Sequence, residues 1–109
     1  MAFDEGLAQR IRETLAEREG VVERKMFGGL AFLLNGNLCV GVVADELMVR
    51  VGPDAYEAAL AEPHARAMDF TGRPMKGLVY VGCEGFEADA DLERWIARGS
   101  GFAASLPAR

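Results

Sequence analysis

Residues 26–43 read MFGGLAFLLNGNLCVGVV, two apolar segments separated by Asn35-Gly36. An Asn-Gly pair tolerates positive φ at both central positions of a type I′ turn, so it is a strong signal for a β-hairpin. A third apolar run, residues 47–51, follows a short break at Asp45-Glu46. The stretch therefore predicts a three-stranded antiparallel meander.

Helical periodicity flanks this meander on both sides. Leu7, Ile11 and Leu15 recur every four residues in a first helix over residues 4–18, with Asp4 as its N-cap. Residues 21–27 are predicted to be extended. The later segments are a helix between Gly52 and Pro63, strands over 65–70 and 76–82, and a last helix over 88–98 that Gly99 and Gly101 are expected to break. The predicted order is α-β-β-β-α-β-β-α.

This order describes a two-layer α+β domain, with an antiparallel sheet and with helices mainly on one sheet face. The chain has 109 residues, half of them hydrophobic, which fits a single domain over residues 1–109. Its formal net charge of −5 argues against a general nucleic-acid binder, which needs a clustered basic face. Direct nucleic-acid binding is therefore not expected.

The N-terminus turns acidic at Asp4-Glu5 and shows no signal-peptide pattern, and no apolar run is long enough to cross a bilayer. Two cysteines, Cys39 and Cys83, lie in separate apolar segments and suit reduced thiols better than a disulfide framework. We therefore expect a cytoplasmic protein without membrane contact.

Strand alternation assigns the apolar residues to two sheet faces. A first face, expected beneath the helices, takes Ala31, Leu33, Leu38, Val40, Val42, Leu47, Val49 and Val51. A second face takes Leu30, Phe32, Asn37, Cys39, Gly41, Val43, Met48 and Arg50. It is too apolar for solvent, so another copy, a later segment or a ligand is expected to cover it. Phe32, Cys39, Val43 and Met48 form the candidate dimer face.

The glycine pair Gly28-Gly29 interrupts an extended segment, which favours a β-bulge over an anion-binding nest of backbone N–H groups. Five basic residues lie beside glycine-containing turns or on strands, and they either act separately or converge with the glycine pair as one patch. Such a patch would bind an anion, a nucleic acid or an acidic partner. Its residues would be Arg24, Lys25, Gly28, Gly29, Arg50, Arg73 and Lys76.

No pattern of catalytic residues stands out. His64 is the only histidine, and no serine or cysteine nucleophile is placed near it in sequence. One histidine and two distant cysteines do not make a metal-ligand pattern. The sequence predicts no enzyme activity, no cofactor and no metal.

Several of these stretches together resemble the N-terminal domain of the TfoX/Sxy proteins, and the resemblance runs from the first helix to the last. The segments that carry it are 24–29 (RKMFGG), 36–41 (GNLCVG), 47–52 (LMVRVG), 69–77 (DFTGRPMKG) and the Leu92/Trp95 helix. The chain ends at Arg109 without matching the helical C-terminal domain of these proteins, so we expect a stand-alone N-terminal domain.

The resemblance implies a bacterial regulator of natural competence, a two-layer α+β fold and a homodimer. It also implies action through a partner transcription factor, the cyclic-AMP receptor protein, and no catalytic motif. The leading hypothesis is therefore a protein-interaction module in transcriptional regulation. The alternative is a small-ligand or anion-binding domain that uses the basic patch near Gly28-Gly29.

Overall fold

The computed structural model describes residues 3–69, 72 and 75–109. It confirms the α+β class, because a six-stranded antiparallel sheet packs against three helices. The elements are α1 (Glu5–Thr14), β1 (Val21–Met26), β2 (Gly29–Leu34), β3 (Asn37–Val43), β4 (Glu46–Arg50), α2 (Tyr56–Leu60), β5 (Ala65–Ala67), β6 (Leu78–Val81), a 3-10 turn (Cys83–Gly85) and α3 (Asp89–Ser105). The sheet order is β1-β2-β3-β4-β6-β5.

The meander has four strands, one more than predicted. Asn35 and Gly36 have φ of 53° and 83°, so they form the expected tight turn between β2 and β3. Phe27 and Gly28 have φ of 57° and 73° and form an equivalent turn, because Met26 pairs with Gly29. The predicted bulge at Gly28-Gly29 was therefore wrong, since this glycine pair closes a hairpin with the extended segment that becomes β1.

All three helices cover one face of the sheet. Asp4 caps α1 as predicted, accepting a hydrogen bond from the Leu7 backbone N–H at 3.1 Å. The core beneath the helices includes Ile11 of α1, Tyr56 of α2 and Trp95 of α3. No helix among the residues described is long and apolar enough to cross a membrane.

The last helix continues past the residues that were expected to break it. Gly99 and Gly101 lie inside α3, which packs against β3 and β4. A Cβ at Gly99 would lie 2.6 Å from the Cys39 carbonyl oxygen and 2.8 Å from Val40 Cγ1. Gly99 therefore lets the helix axis approach β3 closely, and the prediction of a break there was wrong.

Candidate functional site

The sheet face opposite the helices carries a second, smaller hydrophobic cluster, which we call the methionine face. Its buried members are Met48, Met68, Leu78 and Tyr80, and its partly buried members are Phe27, Leu38, Val43 and Met75. Met68 comes from the segment after β5, and its backbone N–H donates to the carbonyl oxygen of Leu78 at 3.3 Å. A later segment of the chain thus covers part of this face.

Methionine is concentrated on this face. Met48, Met68 and Met75 belong to the cluster, and the β1–β2 register puts Met26 on the same side of the sheet. Thioether side chains are unbranched and polarisable, so they adapt to partners of different shapes. The rim of the cluster, formed by Phe27, Leu38, Val43 and Met75, is partly exposed.

Phe27 reaches the methionine face from a strained backbone position. Its φ of 57° lies in the left-handed region, which bulky side chains seldom adopt. Such a conformation costs on the order of 1–2 kcal/mol and persists where surrounding contacts hold it. Packing of the Phe27 side chain against the cluster is one such contact.

The proposed dimer face is divided between the two sides of the sheet. Val43 and Met48 lie on the methionine face as predicted, although Met48 is fully buried. Phe32 and Cys39 belong instead to the core beneath the helices, each only 1% exposed. Their assignment to the second face was wrong.

A β-bulge in β3 explains this error. Leu33 pairs with Leu38 as predicted, but Phe32 pairs with Val40 rather than with Cys39, so Cys39 is the extra residue. Cys39 and Val40 both contribute to the helix-side core. The bulge shifts the alternation of β2 by one residue relative to the prediction. Phe32 therefore faces the helices, and Ala31 lies on the methionine-face side of the sheet.

Burial in this core changes the chemistry of Cys39. Desolvation raises the pKa of its thiol to about 12, although the positive charge of Arg18 acts in the opposite direction. The thiolate required for nucleophilic attack is therefore scarce at neutral pH. Cys39 is a packing residue in this structure.

The same burial makes the stability depend on pH in the alkaline range. In the unfolded chain the Cys39 thiol ionises near its ordinary pKa of 9.0, whereas the folded chain keeps the proton until about pH 12. The contribution of this thiol to the free energy of unfolding is therefore complete below pH 9. Above pH 9 the free energy of unfolding decreases by up to about 1.4 kcal/mol per pH unit. Urea unfolding between pH 8 and 11 is expected to show a shallower decline for Cys39→Ala than for the wild type.

Cys83→Ala is the matched control for this measurement. Cys83 is the exposed free cysteine, so the variant keeps Cys39 and is expected to keep the wild-type slope. Equal slopes for the wild type and Cys39→Ala would contradict the assignment of a titrating thiol in the core.

The structure does not gather the predicted anion-binding residues into one site. Gly28 and Gly29 lie at the turn end of β1 and β2, in line with the start of β4, whereas Arg50 ends β4. Arg50 lies four residues after Glu46, the first residue of β4, which corresponds to about 13 Å along the strand. Lys76 precedes β6 near Arg50, away from the glycine pair, and Arg73 lies outside the residues described.

The basic side chains also differ in what they contact. The Arg50 guanidinium lies 5.2 Å from the centroid of the Phe102 ring, in a cation–π contact within the chain. Arg24 and Lys25 are exposed neighbours on β1, so their side chains leave opposite faces of the sheet. Lys76 is exposed in the turn before β6. This placement favours separate roles for these cations.

Another charged cluster was missed at the sequence level. Glu62, which follows α2, accepts hydrogen bonds from Arg94 at 3.0 Å and from Arg98. Both guanidinium groups also lie over the buried Trp95 ring, at 5.5 and 4.7 Å from its centroid. The spacing of Arg94, Trp95 and Arg98 on one helix is the signal that could have shown it. The arrangement ties α3 to the end of α2.

His64 lies beside this cluster. Its Nδ1 is 3.6 Å from Glu84, and its backbone has φ of 69° because it turns the chain into β5. Its side chain is half-exposed, as expected for a surface histidine. Within the described part of the chain, no group of three or more metal-ligating side chains comes together.

The comparison with protein families identifies the chain. Residues 13–103, which include every strand and most of α3, match the family described as "TfoX N-terminal domain". Searches of curated proteins and of solved structures gave no match. Because the family match covers most of the chain, this protein belongs to the TfoX N-terminal domain family.

Proposed function

We propose that this chain is a regulatory protein-binding domain that acts in transcription through a partner transcription factor. The methionine face carries this proposal, because its partly exposed residues surround a buried methionine core on the side of the sheet without helices. Apolar clusters with a partly exposed rim can serve as binding surfaces. The family match supports a regulatory role over a catalytic one.

Direct binding to DNA fits this surface poorly. The chain carries a net charge of −5, and its predicted basic residues are spread over both sheet faces and both sheet ends. A nucleic-acid interface needs cations that converge on a phosphate backbone. We infer that any effect on promoters passes through the partner, in the cytoplasm.

The family resemblance supplies the partner for the test, the cyclic-AMP receptor protein. Fluorescence anisotropy of the labelled chain, titrated with the receptor in the presence of cyclic AMP, measures the dissociation constant. Met75→Glu and Val43→Glu place a charge at the rim of the methionine face, and each is expected to weaken binding by about tenfold or more.

Ala97→Glu is the matched control, since Ala97 is exposed on α3 in the helix layer. It adds the same charge on the other side of the molecule, so it is expected to bind as the wild type does. Circular dichroism checks that all three variants are folded. Equal affinity of the rim variants and the control would contradict this surface, and no binding by the wild type would contradict this partner.

A further inference from the structure

Strand β1 forms an open edge of the sheet. It pairs only with β2 among the elements described, and its four central residues, 22–25, are exposed. Val22, on the side of the sheet without helices, is 55% exposed. An edge strand whose backbone groups are unpaired can accept a further strand.

The turn at Phe27-Gly28 determines which backbone groups of β1 are unpaired. In a two-residue hairpin the closing pair, here Met26 and Gly29, is hydrogen-bonded, and the pattern then alternates along the strand. The bond from the Asn35 N–H to the Gly20 carbonyl oxygen, at 2.9 Å, continues the same phase. The N–H and C=O groups of residues 21, 23 and 25 therefore point away from the sheet.

The charged side chains of this edge differ in whether they have a partner. The Glu23 carboxylate is held by Arg12 of α1, which donates from Nε at 2.6 Å and from Nη2 at 2.9 Å. Arg24 and Lys25 form no ion pair with a carboxylate in the described part of the chain. The edge therefore presents two unpaired cations, one on each side of the strand, in a chain whose net charge is −5.

We propose that β1 binds an extended acidic segment of another protein as an additional antiparallel strand. Two consecutive carboxylates of that segment lie opposite Arg24 and Lys25, because adjacent residues of a strand point to opposite faces of the sheet. An apolar residue two positions after the carboxylate that faces Arg24 lies opposite Val22, on the same face. This inference is separate from the proposed transcription-factor partner, which is assigned to the methionine face.

Charge and backbone geometry together select this class of ligand. A basic segment would place like charges opposite Arg24 and Lys25, which destabilises a strand pair. Opposite Glu23 an uncharged residue fits best, because the Glu23 carboxylate already has its cation in Arg12. The overall negative charge of the chain opposes an acidic ligand only weakly, since the Debye length is about 8 Å at physiological salt.

A synthetic peptide tests this assignment. The acetylated and amidated hexapeptide Val-Glu-Glu-Thr-Val-Thr places its glutamates opposite Lys25 and Arg24 and its second valine opposite Val22. Titration into the isotope-labelled chain, followed by NMR, is expected to give a dissociation constant of about 1 mM or lower. The backbone amide signals of residues 21, 23 and 25 are expected to shift most, because these groups gain hydrogen bonds, whereas the Arg24 amide is already bonded to β2.

N-methylation of the peptide separates strand pairing from simple charge attraction. The first threonine, opposite Glu23, donates its N–H to β1, so its N-methylation is expected to weaken binding about tenfold. The second glutamate, opposite Arg24, points its N–H away from β1, and its N-methylation is expected to change the affinity by less than about threefold. Equal losses at the two positions would contradict pairing through the backbone.

Charge exchange tests the register. Arg24→Glu is expected to weaken binding of the acidic peptide about fivefold. The same variant is expected to bind Val-Glu-Lys-Thr-Val-Thr to within about twofold of the original affinity, because this peptide restores opposite charges at that pair. Lys76→Glu makes the same charge change at an exposed site away from β1 and is expected to leave binding unchanged.

Two outcomes overturn the proposal. One is a wild-type chain whose β1 amide signals do not shift at about 5 mM peptide, well above the expected dissociation constant. The other is an Arg24→Glu variant that binds the lysine-containing peptide no better than the acidic one.

Discussion

Phe32→Asp is expected to leave the chain unfolded at 25 °C in the absence of denaturant. The Phe32 ring is 1% exposed and lies in the core between the sheet and the helices. Loss of a buried phenylalanine costs about 3–5 kcal/mol, and an unpaired carboxylate at the same place costs several more. A domain of this size has a free energy of unfolding of about 5–15 kcal/mol, so little or none would remain.

Far-UV circular dichroism and urea titration check this expectation. Val22→Asp is the matched control, because it introduces the same carboxylate on the neighbouring strand at an exposed position. It is expected to change the free energy of unfolding by no more than about 1 kcal/mol. A cooperative urea transition for Phe32→Asp close to that of the wild type would place Phe32 on the outer face, where strand alternation alone had put it.

Gly99→Ala is expected to lower the free energy of unfolding by about 2 kcal/mol. The added Cβ would meet the Cys39 carbonyl oxygen at 2.6 Å and Val40 Cγ1 at 2.8 Å, so α3 must move away from β3. Overpacking of this kind costs about 1–3 kcal/mol, and the upper end of that range applies here because the backbone oxygen can move only with its strand. The higher helix propensity of alanine offsets about 1 kcal/mol of that cost.

Gly101→Ala gives the opposite result two residues further along the same helix. Nothing lies within 4 Å of a Cβ at Gly101, so alanine gains helix propensity without a clash. The expected change is a stabilisation of about 1 kcal/mol. Urea unfolding of both variants measures the difference, and a stabilised Gly99→Ala would show that α3 does not approach β3 as closely as described.

Local patterns were enough to predict much of the fold. Asn35-Gly36 predicted a hairpin that the structure confirms, because few dipeptides accept positive φ at two successive positions. The alternation of Val42, Leu47 and Val49 predicted their common position beneath the helices. Asp4 predicted the start of α1, since a side-chain acceptor is needed where backbone N–H groups lack partners.

Local patterns predicted only part of the methionine face. Val43 and Met48 were assigned to the correct face, but Met68 and Met75 were not connected with it. Their contribution depends on a contact between β5, β6 and the rest of the sheet, which has no short-range pattern. The exposed edge of β1 also requires the strand order, because an isolated strand sequence does not show which of its sides has a neighbour.

The sequence by itself determined the Asn35-Gly36 turn, the start of α1, the class of the domain and the family to which it belongs. The turn and the helix start depend on residues close together in the chain, and the class and family on patterns repeated along it. The tertiary structure alone decided the inward position of Phe32, the continuation of α3 through Gly99 and the cover of the methionine face. The bulge at Cys39 adds one residue to β3 and is not visible in the alternation of apolar residues. The continuation of α3 depends on its close approach to β3 at Gly99, a contact between distant segments.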